Sequence, residues 1–339
     1  LNKRFLLSIL GFNALYFISV FLDILFGEDF VGEWNLTPYL LSYDYGFIRR
    51  AFIGSVLKFL GLNITPFGIF ILYTICVEVV FILTLIGADK RLKNWEFFNQ
   101  YLLLLTLSPA LALHFGDDRG RTDVFLLLIT VLGILYVRNI PLLLFISVLG
   151  FLIHEGFLLM GFNLLVFKVL KERGLKYSII VLFLGISFSW ILTLSKTGIS
   201  LIPGASEEYI SILERGIIEN LVYFYGKYFS DFKIAVYLTS QMLLSLIFLL
   251  INLTLYIPLF RNKPLAIPPL TTLLMFFLGI DYFRWVSITV FYLFLWVSYN
   301  YENITQFKPS FYQRLAFYIL LISPLLEIGR SVVLKGIGL

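Results

Sequence analysis

The 339-residue chain is 60% hydrophobic, 18% aromatic and only 14% charged, with a mean hydropathy of +0.92. Water-soluble globular proteins carry about a quarter charged residues, so this composition excludes them. The net charge of +5 comes from basic residues scattered between apolar runs, which argues against a nucleic-acid face, and the sole cysteine, Cys76, excludes an intrachain disulfide.

Long continuous apolar runs predict an all-α polytopic membrane protein, since a transmembrane barrel would show short alternating segments. Phe5–Phe26 is the first predicted span, and Lys3 and Arg4 place its start inside. No small-residue cleavage site closes that run, so it reads as an uncleaved helix. Gly27–Tyr45 is acidic and reads as an outer segment, and Gly46–Gly61 as a helix lying in the interface. Pro66–Ala88 is the next clear span, followed by the basic stretch Asp89–Asn94 on the cytoplasmic side.

Phe97–Leu113 then runs outward to His114–Asp123, and Val124–Val137 returns inward. Pro141–Leu170 is a long apolar run interrupted by His154-Glu155-Gly156, with Lys168 at its end and Lys171, Arg173 and Lys176 after it. Cytoplasmic flanks on both sides predict two half-helices with His154 and Glu155 at their outer tip, with a single tilted helix as the competing reading. Tyr177–Leu194 leads to 195–233, the longest extracytoplasmic loop. Within it the spacing of Ile210, Leu213, Ile217 and Leu221 predicts one amphipathic helix over Glu207–Gly226. Ile234–Phe260, Leu265–Ile280, Val286–Tyr301 and Arg314–Ile328 complete roughly ten or eleven membrane segments in a single transmembrane domain, 1–339.

This topology sends the ionisable clusters to one side. An Asp or Arg at the centre of a membrane helix costs about 2.5–3.5 kcal/mol, so the charges belong at helix ends and mark functional candidates. Arg49, Arg50, Arg119, Arg121 and Arg284 offer planar forks for phosphate oxygens, with Asp44, Asp123 and Asp281 positioned among them. Asp117, Asp118, His154 and Glu155 are the candidates for accepting a proton from an attacking hydroxyl. Glu155 or His154 is the favoured base, because both are flanked by apolar sequence and desolvation there would raise the Glu155 pKa, while Asp117–Asp123 would position phosphate or metal. Asp118–Arg121 and Asp281–Arg284 have the i,i+3 spacing of an intrahelical ion pair. His154-Glu155 lacks the second histidine of a zinc helix, since position 158 is Leu. The adjacent carboxylates Asp117 and Asp118 are a weak divalent-cation signal, so no metal or cofactor is expected.

Tyr43-Asp44-Tyr45-Gly46-Phe47-Ile48-Arg49-Arg50, Gly116–Asp123 and Ile153-His154-Glu155, set among aromatic-rich spans and small inner loops, resemble bacterial O-antigen or capsule repeat-unit polymerases of the Wzy type. The resemblance implies a multi-spanning glycosyltransferase in the bacterial inner membrane with its active site facing the periplasm. It would transfer a growing glycan from one undecaprenyl diphosphate carrier onto the next lipid-linked repeat unit, alongside flippase and chain-length regulator proteins. The modest outer loop leaves open a transferase using a polyprenyl-phosphate sugar. A lipid-linked-sugar transporter is the third reading, and calls for a mid-membrane cationic cavity, paired half-helices and an internal repeat.

Overall fold

Apolar runs that satisfy their own backbone polar groups fold as helices. The computed structural model describes residues 3–45, 48–107, 112–194, 202, 204–215, 217–230, 232–260, 263–277, 281–303 and 310–336, and contains no strand among them. In chain order the helices are α1 (Lys3–Leu25), α2 (Glu33–Leu40), α3 (Phe52–Phe59), α4 (Pro66–Leu92), α5 (Phe98–Leu107), α6 (Ala112–Asp117), α7 (Asp123–Val131) and α8 (Ile140–Ile153). They continue as α9 (Asn163–Arg173), α10 (Leu175–Leu194), α11 (Glu207–Glu214), α12 (Ile217–Phe229), α13 (Phe232–Tyr256), α14 (Ile267–Leu270), α15 (Tyr282–Tyr299) and α16 (Phe311–Gly336).

Four stretches, in α1, α4, α10 and at Leu238–Leu259, are long and apolar enough to cross a membrane. Their outward faces are apolar as well: Leu10, Phe17 and Phe21 on α1, and Phe183, Trp190 and Ile191 on α10, are exposed. Further predicted spans are present as shorter apolar helices, among them Phe98–Leu107, Ile140–Ile153 and Ile267–Phe276. Prolines explain part of the shortening. Pro264, Pro268 and Pro269 leave the described part of the predicted span Leu265–Ile280 as 3₁₀ turns, Lys263–Ala266 and Thr271–Phe277, around the four-residue α14, because each lacks an N–H and restricts the residue before it; positions 278–280 lie outside the described residues. The predicted interfacial helix Gly46–Gly61 is likewise reduced to α3, with Ile53, Gly54 and Leu57 turned inward; positions 46 and 47 lie outside the described residues.

The chain forms two compact units, one of Leu1–Glu28, Ile82–Asp118 and Asp231–Leu339, the other of Asp29–Phe81 and Arg119–Ser230. The first is built around α15, which is buried on nearly every side, as expected of a helix apolar all round. α13 and α14 pack on α15, and α1 packs on α5 and α6. The Tyr101 hydroxyl donates to the Leu255 carbonyl at 2.6 Å.

In the second unit α7 packs on α8, α10 on α8 and α9, and α2 on α3 and α11. The run Pro141–Leu170 breaks where the sequence indicated. α8 stops at Ile153, His154 turns extended (φ −160°, ψ 126°), and a π-helical turn, Leu158–Phe162, restarts the chain into α9. Gly150 makes the reversal possible, because a Cβ there would stand 2.5 Å from ring atoms of Phe157. The far end of this hairpin is held by Lys168. Its buried ammonium donates to the carbonyls of Gly133 (2.7 Å), Ile134 (3.2 Å) and Val137, at the π-helical end Leu132–Tyr136 that follows α7. A helix end leaves carbonyls without intrahelical donors, and one ammonium supplies them. The sequence placed Lys168 with the basic cytoplasmic residues; the structure makes it an internal pin between the start and the end of the hairpin.

Candidate functional site

The hairpin tip faces the turn that precedes α3. Ser55 organises that turn: its hydroxyl donates to the Ala51 carbonyl and accepts from the Tyr43 N–H, both at 2.8 Å. Gly54 lets α3 press against the carbonyls of Tyr39 and Leu41, which a Cβ would strike. Arg50 takes the left-handed conformation (φ 67°), the only described non-glycine residue to do so. That conformation costs an L-residue about 1–2 kcal/mol, and such outliers persist where surrounding contacts fix them.

The contacts that fix Arg50 are ionic. Its Nη2 donates to Glu155 Oε1 at 2.5 Å, and Nε lies 3.0 and 3.2 Å from Oε2 and Oε1. Nη1 donates to the Tyr209 hydroxyl on α11 at 3.2 Å. Arg49 reaches the same carboxylate, Nη1 to Oε1 at 3.6 Å, while its Nη2 donates to the carbonyls of Ile212 (2.5 Å) and Arg215 (3.1 Å). Buried Arg49 therefore caps the C-terminal end of α11, where cations are favoured. Its Nε is buried with no acceptor among the described residues.

This changes the acid–base reading of Glu155. Burial alone pushes its carboxyl up, as the sequence suggested. Arg50 outweighs that, with His154, when charged, and Arg49 pulling the same way, and the carboxyl is held well below the usual carboxylate range. An ionised, doubly paired carboxylate is a weak base. His154 is committed too: Nδ1 accepts the Gly156 N–H at 2.9 Å and stands 3.7 Å from Glu155 Oε2. In the neutral ring that assigns the proton to Nε2, so taking up a proton at Nδ1 requires opening the tip turn.

No protein-family model, curated protein or solved structure matches the chain.

The remaining candidates are dispersed. Within the second unit, Asp44 is exposed and pairs with Lys58, which, with Ser42, holds its carboxyl below the usual range. Arg119 is buried and donates to the carbonyls of Phe30 (2.9 Å) and Asp29 (3.0 Å), while its own carbonyl accepts from Asn35. It ties the approach to α2 in place. Asp123 is buried at the start of α7, and Arg121 is half-buried. Asp117, Asp118, Asp281 and Arg284 belong to the first unit. There Asp118 Oδ2 lies 3.5 Å from His114 Nδ1, and Arg284 Nη1 is 3.4 Å from Asp281 Oδ2, the i,i+3 pair the spacing predicted. Buried Arg284 also lies over the Trp285 ring, 4.2 Å from its centroid.

The predicted amphipathic helix is present in two pieces. α11 turns Tyr209, Ile210, Ile212 and Leu213 inward against Leu41, Ile48 and Ala51. It starts on Ser206, whose hydroxyl accepts from the Tyr209 N–H. It ends because the carbonyls that a continuing helix would use accept instead from Arg49 and Asn220. Tyr209 was not among the sequence candidates. Its apolar-face position marks it as packing, and only the fold reveals its hydroxyl on Arg50.

Proposed function

We propose that the chain is a membrane-embedded glycosyltransferase that polymerises undecaprenyl-diphosphate-linked oligosaccharides at the periplasmic face of the bacterial inner membrane. One observation carries the reading. Two guanidinium groups, Arg49 and Arg50, converge on the single carboxylate of Glu155 at the tip of a broken apolar hairpin, so the cluster holds more positive than negative charge. An arginine fork fits diphosphate oxygens, and an oriented donor set stabilises the charge that grows there as the sugar–phosphate bond breaks. Glu155, a weak base while both arginines hold it, is the adjacent carboxylate that would take the proton of the attacking sugar hydroxyl once that pairing is relieved. The four apolar helices with exposed apolar faces support a lipid setting, and the remaining short apolar helices fit additional or re-entrant segments.

A second reading, a transporter of lipid-linked sugars, is favoured by the broken hairpin, since half-helices meeting at a charged tip are a transporter feature. Purified protein in detergent separates the two. A polymerase lengthens lipid-linked oligosaccharide there, and Arg50→Ala abolishes the product. A transporter forms no new glycosidic bond in detergent and moves the lipid only across a closed vesicle.

A further inference from the structure

We propose that Glu155 is a resident anion: in the unliganded protein its carboxylate fills the place on Arg50 that a phosphate of the substrate takes, and binding exchanges one for the other. The inference rests on the reading of Arg50 as a diphosphate site. Three features lead to it. The Arg50 fork grips Glu155 through both Nε and Nη2, the geometry by which it would grip two phosphate oxygens. The buried Arg49 Nε beside it has no acceptor among the described residues, so the cluster has donor capacity that Glu155 does not use. The side chains of Arg50 and Glu155 keep 15% and 12% of their surface exposed, which leaves an anion a route to the pair.

Exchange gives Glu155 its second role. While it sits on Arg50 the guanidinium holds it ionised and weakly basic. Displaced by a phosphate, it loses that cation and becomes a stronger base next to the bound diphosphate. The acceptor hydroxyl's proton then passes to the Glu155 carboxylate and its oxygen bonds to the anomeric carbon. The bond from that carbon to phosphate breaks, and its electron pair leaves with the diphosphate held by Arg50. The base is thus released by the substrate that needs it.

Calorimetric titration of the detergent-purified full chain with inorganic pyrophosphate tests the exchange. A site that is open in at most about a tenth of molecules binds its ligand about 10-fold or more weakly than an open one. Glu155→Gln, which removes the charge but keeps an oxygen facing Arg50, is expected to bind pyrophosphate about 10-fold or more tightly than wild type. Glu155→Asp, whose carboxylate is set back by one methylene, should fall between them and serves if the Gln variant does not fold. Adding Arg50→Ala to either must remove the gain. Equal affinities in wild type, Gln and Asp proteins, all weakened by Arg50→Ala, would overturn the exchange while leaving the anion site standing. No binding by any of them would overturn both.

Discussion

Arg50 and Glu155, far apart in sequence, meet through two guanidinium nitrogens, and Arg50 makes that reach from a left-handed backbone. Backbone strain and ion pair can be separated. Removing one member of a buried pair typically costs about 3–5 kcal/mol because the other is left uncompensated. Arg50→Ala should lose stability on that scale and abolish polymerisation. Arg50→Gly loses the same side chain and also the strained Cβ that alanine keeps, so it should be about 1 kcal/mol more stable than Arg50→Ala, with activity equally lost. Urea or thermal unfolding of the two variants checks this; a glycine variant no more stable than the alanine one refutes the strain.

The depressed carboxyl of Glu155 makes a pH prediction. A carboxylate whose folded value lies below its unfolded one contributes stability that is fully present above about pH 4.3 and is lost as pH falls further toward the folded value. Wild type should therefore be more stable than Glu155→Gln at pH 7, and the gap in melting temperature should narrow as the pH is taken below about 4.3. A gap that is constant with pH would mean that the pair contributes through shape alone.

Lys168 holds the far end of the hairpin whose tip carries Glu155. Lys168→Met keeps the apolar stem and removes the ammonium, leaving the carbonyls of Gly133, Ile134 and Val137 without that donor. Hydrogen bonds to charged groups are worth about 1.5–3 kcal/mol each, so a loss of several kcal/mol is expected. Hydrogen exchange should quicken across Leu132–Tyr136 and α9 ahead of α1. Unchanged protection there would show that α7 and α9 hold without the pin.

The elements in which periodicity and flanking charge agree were legible in the sequence: α1, α4, α10, α13 and the break at His154–Gly156. So was the pairing of Asp281 with Arg284, because i,i+3 neighbours meet on any helix. What sequence could not supply was the partner of each charge across long separations. Lys168 counts as a cytoplasmic lysine until π-helical carbonyls are seen around it. Glu155 has apolar neighbours along the chain but Arg50 in space, which reverses its expected basicity. The single helix expected over Glu207–Gly226 is divided because Arg49, remote in sequence, takes the α11 carbonyls.

Arg119 illustrates the same limit and yields its own prediction. In sequence it belongs with the phosphate-binding arginines; in the structure its buried guanidinium donates to Asp29 and Phe30 carbonyls. Arg119→Ala should therefore lower stability by about 2–4 kcal/mol through lost charge-assisted bonds. The protein that remains folded should bind pyrophosphate as wild type does, and Arg119→Lys should recover part of the stability. Normal stability with lost pyrophosphate binding would return Arg119 to the anion site.

The proposed orientation rests on charge near α4 and on the place of α11. α4 ends in Lys90 and Arg91 with Lys93 beyond it, and short basic loops stay on the cytoplasmic side. α11 carries Tyr209 onto Arg50, so the Arg49–Arg50–Glu155 cluster lies on whichever side α11 does. Asn94 and Glu207 are both exposed, which suits them to cysteine substitution after Cys76→Ser. In intact cells a membrane-impermeant maleimide should label Glu207→Cys and not Asn94→Cys, and permeabilised cells should label both. Labelling of Asn94→Cys alone would turn the site toward the cytoplasm and remove periplasmic polymerisation. Labelling of both from outside would place the basic loop and α11 on one face and break the assigned crossings between them.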